Sequence, residues 1–135
     1  MKCATPACVC TCSGRRALAR RFDAVLAPLG LTQGQFSLLM SLNRPQPPSI
    51  GSVAALLAMD RTTLTANLKP LERRHLVKIA VDKEDKRGRR LVITAAGRAL
   101  MGKAYPVWQK AHGETENLIT GIATDALRDA LRALS

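Results

Sequence analysis

The chain has 135 residues, 47% of them hydrophobic, and 21 lysines and arginines against 10 aspartates and glutamates, for a net charge of +11. That length suits one domain and that apolar content suffices for a core, which excludes a disordered tail protein. No apolar run approaches the ~20 residues of a membrane span, and the apolar part of the first ten residues is too short and broken for a signal peptide. A cytoplasmic protein with reduced thiols, not attached to a membrane, is expected.

The positive charge is uneven. Residues 61–90 hold ten basic and four acidic residues (+6), against five and one in 1–30 (+4), one of each in 31–60 (0), and five and four in 91–135 (+1). A concentrated excess suits a polyanion held at that stretch. An aromatic content of 3% argues against single-strand or RNA binding by base stacking.

In chain order, residues 15–29 place Ala17, Leu18, Phe22, Val25, Leu26 and Leu29 at helical spacing, with Arg15, Arg16, Arg20 and Arg21 opposite. Gly30 follows as a C-cap. Thr32 with Gln35 three residues later forms a capping-box pattern, and the helix it opens turns Phe36, Leu39, Met40 and Leu42 inward. Pro45-Gln-Pro-Pro is a stiff, non-helical connector. Ser49 caps a short helix carrying Ile50, Val53, Ala54 and Leu57, and Ala58-Met59 makes the turn. Asp60 caps the next helix.

Two short helices across a tight turn form a helix–turn–helix. Leu64, Leu68 and Leu71 face the core, which leaves Arg61, Thr62, Thr65 and Lys69 on the open side, flanked by Thr63 and Asn67. Pro70 should bend this helix. Residues 77–81 and 89–93 read as strands joined by a turn at Gly88 and a tip rich in Lys and Arg. Thr94 caps a further helix, which Pro106 and the glycines at 113 and 121 should interrupt. The end carries an apolar stripe through Ala126, Leu127, Ala130, Leu131 and Leu134. The fold class is therefore mainly α with a small β-hairpin wing: a winged helix–turn–helix with further helices at both ends.

Four segments in order carry a family likeness: Leu29-Gly-Leu-Thr-Gln-Gly-Gln-Phe-Ser-Leu-Leu, Asp60-Arg-Thr-Thr-Leu-Thr, Leu71-Glu-Arg-Arg-His-Leu-Val, and Asp85-Lys-Arg-Gly with Leu91-Val-Ile-Thr. Together, from about Arg15 to His112, they resemble MarR-type regulators. The resemblance implies dimerisation helices at 15–30 and 100–135, a winged helix–turn–helix at 31–99, and a cysteine-rich tail at 1–14. It implies a homodimer on a pseudo-palindromic double-stranded DNA operator, released by a small-molecule inducer or an oxidant. By the same likeness Arg61, Thr62, Thr63, Thr65, Asn67 and Lys69 are the recognition positions, Arg87 enters the minor groove with Arg89 beside it, and Asp85 orients the wing arginines. Lys83, Lys86, Arg73 and Arg90 are left to phosphate contact or solubility. His75 stands where the family usually has glycine.

All four cysteines, Cys3, Cys8, Cys10 and Cys12, precede the first expected helix. The resemblance puts Cys8 at the reactive position of the hydroperoxide-sensing branch, where Cys12, Phe22 and Gln33 replace that branch's activating tyrosines. A helix N-terminus and the Arg15-Arg16 pair would lower a thiol pKa instead, and neighbouring thiols could resolve a sulfenic acid. Redox sensing by Cys8, Cys10 and Cys12, soft-metal or arsenical binding by alternate thiols, and a plain tail all remain open.

No nucleotide-binding glycine loop or paired carboxylates occur, and neither His75 nor His112 has an evident nucleophile, so no enzyme, catalytic residue, cofactor or metal site is expected. The expected function is a sequence-specific transcriptional regulator, most simply a repressor. A non-specific nucleoid-type DNA binder is the alternative.

Overall fold

The computed structural model describes residues 6–82, 88–118, 121 and 123–133. The elements are α1 (Pro6–Leu26), a 3₁₀ turn (Ala27–Leu29), α2 (Gln33–Leu42), α3 (Ile50–Leu56), α4 (Arg61–Arg73), β1 (Val77–Val81), β2 (Arg89–Ile93), α5 (Ala95–Asn117) and α6 (Thr124–Arg132). Mostly helix with one two-stranded antiparallel sheet, this is the winged-helix class read from the sequence.

Side-chain oxygens start the helices. The Thr32 hydroxyl accepts from the Gln35 amide at 3.2 Å while Gln35 Oε1 accepts from the Thr32 amide at 3.1 Å, a complete capping box. Ser49 accepts from the Ser52 amide and Thr94 from the Gly97 amide. One cap comes from another helix: the Gln33 amide donates to Asp23 of α1 at 2.6 Å.

Three exits share one geometry. Leu31, Met59 and Leu76 donate back to the carbonyls of Leu26, Ala54 and Leu71, while Gly30, Ala58 and His75 donate to Ala27, Ala55 and Glu72. These paired bonds define a Schellman turn, whose penultimate residue must be left-handed. Gly30 meets that demand at φ 65°; Ala58 and His75 adopt it at 48° and 55° despite their side chains. The helix end at His75 is thus built in the usual way, under strain, because the Leu71–Leu76 closure over the core dictates it.

β1 and β2 pair with Val77 opposite Ile93 and Val81 opposite Arg89. The proline-rich connector lies alongside β2, where the Leu91 amide donates to the Pro48 carbonyl at 2.9 Å. The core gathers Leu26, Phe36, Leu38, Leu39, Leu42, Val53, Leu64, Leu68, Leu71, Val77, Leu91 and Ile93. Gly97 closes it at the hairpin base, since a Cβ there would collide with the Leu76 carbonyl oxygen.

Several expectations are corrected. α1 begins at Pro6, well before residue 15, so the backbones of Cys8, Cys10 and Cys12 lie within the helix rather than ahead of it; their side chains and Cys3 lie outside the described residues. Ala17 and Leu18 are exposed because nothing among the described residues covers that face of α1. Met40 is 37% exposed while Leu38 is fully buried. α2 is packed by α1, α4, α5 and β2, so its inward face is broader than one stripe.

α5 runs unbroken through Pro106 and Gly113. The bond that Pro106 forgoes would go to Gly102, which is exposed and so open to solvent. α4 likewise continues past Pro70, whose missing partner is the carbonyl of exposed Ala66. No single described helix is long and apolar enough to cross a membrane.

A left-handed L-residue costs about 1–2 kcal/mol, and glycine returns part of that as unfolded-state entropy of about 0.5–1 kcal/mol. His75→Gly should therefore stabilise the fold by about 0.5–1 kcal/mol, read as a higher urea midpoint. An unchanged or lower midpoint would show that the His75 side chain offsets its strain through other contacts.

Candidate nucleic-acid interface

The roll of α4 about its axis decides which side chains can meet DNA. Leu64, Leu68 and Leu71 are buried at 0%, 4% and 0%, which anchors one face on the core. Arg61, Thr62, Thr63, Thr65 and Lys69 are all exposed, as their spacing implies. Asn67 is placed otherwise. It is half-buried, its Nδ2 donates to the Thr63 carbonyl at 3.0 Å, and a Cβ at Gly34 of α2 would lie 2.8 Å from its Oδ1. Asn67 thus occupies the seam between α2 and α4.

The threonines differ in what they have left to offer. Thr63 donates its amide to Asp60 Oδ1 at 2.7 Å and its hydroxyl to Oδ2 at 2.9 Å, so it belongs to the helix cap. Thr65 donates its hydroxyl to the Arg61 carbonyl at 2.7 Å, which leaves an acceptor lone pair and a methyl facing outward. The Thr62 side chain makes no hydrogen bond among the described residues. A free hydroxyl, an acceptor with a methyl, and the Arg61 and Lys69 cations suit base edges and phosphates in a major groove.

The Thr63 amide and hydroxyl hold the Asp60 carboxyl below the ordinary aspartate range. The helix start therefore depends on a carboxylate facing an exposed N-terminus, also the end of a helix best suited to a nearby phosphate.

In the wing, Asp82 and Gly88 close the hairpin, the amide of the first donating to the carbonyl of the second at 3.0 Å. Arg89 is exposed, and its Nη1 donates to the Gly88 carbonyl at 3.3 Å. Arg90 is not free for phosphate. Its Nε donates to Asp82 Oδ2 at 2.6 Å and its Nη1 to the Pro47 carbonyl at 3.2 Å, tying the wing to the connector. Asp85 and Arg87, with Lys83 and Lys86, lie outside the described residues.

Arg74 is a structural residue that sequence reasoning misses. Its guanidinium donates to the Gly30 carbonyl and, at 3.3 Å, to that of Leu29, spanning from the end of α4 to the end of the first helical stretch. Basic residues near a helix end often bond carbonyls of their own helix. That these carbonyls belong to another helix depends on tertiary packing, for which no local signal exists.

A cleft of about 380 Å³ opens between α2, α3 and α5, lined by Gln33, Phe36, Met40, Leu56 and Trp108 among others. Its link to α4 runs through α2, which carries Gln33 on the cleft and Gly34 against Asn67.

Residues 31–88, which hold the helix–turn–helix and the start of the wing, match the MarR family model. The chain is 32% identical over 96 residues to the HTH-type transcriptional regulator TtmR of Methylorubrum extorquens strain PA1, covering 71% of this chain and 49% of TtmR. It thus spans about half that relative's length. The structure of the M. tuberculosis transcriptional regulator MosR in complex with DNA superposes with a TM-score of 0.82 at 33% identity, over 98% of this chain and 93% of MosR. CouR from Rhodococcus jostii RHA1, bound to p-coumaroyl-CoA, gives 0.79 at 22% identity over 97% and 91%, a likeness of fold alone. The chain belongs to the MarR family.

Asp60 tests the helix start by pH. Its carboxyl titrates lower when folded than the ~3.9 of an unfolded aspartate, so its stabilisation is present above that value and is lost as pH falls through the folded one. Asn caps as well as Asp, so Asp60→Asn should melt near wild type at pH 7 and lose less stability as pH falls below about 4. Parallel acid limbs in thermal unfolding would exclude Asp60 as a contributor.

Proposed function

We propose that this protein is a cytoplasmic, homodimeric transcriptional regulator without enzymatic activity, which represses by sequence-specific binding to a pseudo-palindromic operator. The observation that carries this reading is the orientation of α4. Its leucine face is locked into the core, and its exposed face presents Arg61, Thr62, Thr65 and Lys69 beside the wing. The similarity to DNA-bound MosR supports the same use of the surface.

Arg61 and Lys69 neutralise phosphate, Thr62 and Thr65 read base edges, and Arg87 and Arg89 carry the wing toward the minor groove with Asp85 orienting them. Thr63 holds the Asp60 cap, and Asn67 acts from the α2 seam rather than on a base. The dimer is supported by apolar side chains that the single chain leaves open on α1 and α5, where Leu18 is 43% exposed and Val107 39%. The terminal helices form this base, and residues 31–99 form the DNA-binding lobe.

Release follows when an effector occupies the cleft between α2, α3 and α5, or when oxidation of the thiols at Cys8, Cys10 and Cys12 disturbs α1. Both inputs act on helices that contact α2 or α5 and so change the spacing of the two recognition helices.

Fluorescence anisotropy on a duplex from the protein's own upstream region, beside a scrambled duplex, tests the reading. The reduced protein should prefer the first, Thr62→Ala should narrow that preference more than it weakens total binding, and mild peroxide followed by reductant should release and restore the complex. Equal affinity for both duplexes would favour non-specific nucleoid-type binding. Selective binding indifferent to peroxide would remove the thiols from the switch and leave the cleft.

A further inference from the structure

The leucine face of α4 also defines its opposite. At about 100° per residue, Ala66 points about 170° away from the mean direction of Leu64, Leu68 and Leu71, whereas Thr65 points only about 90° away. Thr62, Ala66, Lys69 and Arg73 follow one another at helical spacing along that outermost row, and all four are exposed. Ala66 is the shortest side chain of the row, so the backbone of α4 can come closest to a partner there.

The backbone at that point lacks an ordinary helical bond. Pro70 lies inside α4, four residues after Ala66, and has no amide hydrogen to give the Ala66 carbonyl. The neighbouring side chains that bond back along the helix do not replace it. Thr65 donates to the Arg61 carbonyl at 2.7 Å, and Asn67 to that of Thr63 at 3.0 Å. Helix stability alone would disfavour a proline at this position. One outward-facing residue thus carries both a methyl group and a backbone acceptor without its helical donor.

The major groove shows a different pattern for each base pair. A T·A pair offers a methyl group on thymine C5 together with an amine donor on adenine N6, whereas a G·C pair offers the cytosine amine without a methyl. We propose that Ala66 is a specificity-determining residue that reads one T·A pair in each half-site. Its methyl packs on the thymine methyl, and its carbonyl, freed by Pro70, accepts from the adenine amine. The inference rests on the reading of α4 as the recognition helix.

The test uses a duplex that the wild-type protein prefers, with a scrambled duplex beside it, and reads affinity by anisotropy. Within one half-site, thymines are replaced singly by uracil, which lacks only the methyl, and adenines by purine, which lacks only the amine. One thymine should stand out, with uracil weakening wild-type binding about fourfold, the worth of one buried methyl group. Purine in place of its paired adenine should weaken binding about fivefold. Ala66→Gly should become indifferent to that uracil and still sense the purine. Pro70→Ala, which restores the amide, should become indifferent to the purine and still sense the uracil. General loss of helix stability would not give this crossed pattern, and Pro70→Ala removes a helix breaker, so its arm stays readable if Ala66→Gly folds poorly.

A uracil effect that survives in Ala66→Gly, a purine effect that survives in Pro70→Ala, or no thymine whose methyl matters would overturn the proposal while specific binding stands. Equal wild-type affinity for the preferred and scrambled duplexes would remove the recognition-helix reading together with it.

Discussion

The burial of Leu64, Leu68 and Leu71 is the constraint on which the rest of the molecule depends. Three leucines at spacings of four and three residues can all reach one core only if α4 takes a single roll about its axis. That roll leaves Arg61, Thr62, Thr65 and Lys69 open, and turns Asn67 against α2. Apolar burial thereby fixes which polar side chains α4 exposes.

A second layer of interactions fixes α4 relative to its surroundings. Arg74 bonds the carbonyls of Leu29 and Gly30, Asp23 of α1 caps α2 at Gln33, and Gly34 admits the Asn67 side chain at close range. Beside its leucine face, α4 is thus tied by polar contacts at Arg74 to the end of the first helical stretch and at Asn67 to α2. Contacts of this kind can exchange partners when a neighbouring helix shifts. The strained turns at Ala58 and His75 bracket the same helix.

Most of the local structure is legible in the sequence because it rests on local rules. Thr32 with Gln35, Ser49, Asp60 and Thr94 announce four helix starts through short polar side chains that accept from nearby amides, and all four cap as read. Both strands begin and end where their alternation suggests. The failures share a physical cause, which is dependence on something outside the segment. The start of α1 carries no acidic residue or amphipathic stripe to mark it, so only its later half can be seen. Met40 and Leu38 exchange places because α2 is packed from several sides. Pro106 reads as an interruption, yet α5 runs through it, since the bond it forgoes would go to exposed Gly102. Arg90 reads as a phosphate contact or solubility, and Arg74 carries no local signal, until their partners at Asp82, Pro47, Leu29 and Gly30 are visible.

The central claim is that a dimer presents two such helices to specific DNA, and selection from a random duplex pool tests it with no operator sequence assumed. After several rounds at moderate salt, the recovered sequences should converge on an inverted repeat with half-site centres about one helical turn, ~10 bp, apart. Recovered duplexes that share no motif while still binding tightly would contradict the claim, and would show that the basic face of α4 and the wing holds DNA without reading it.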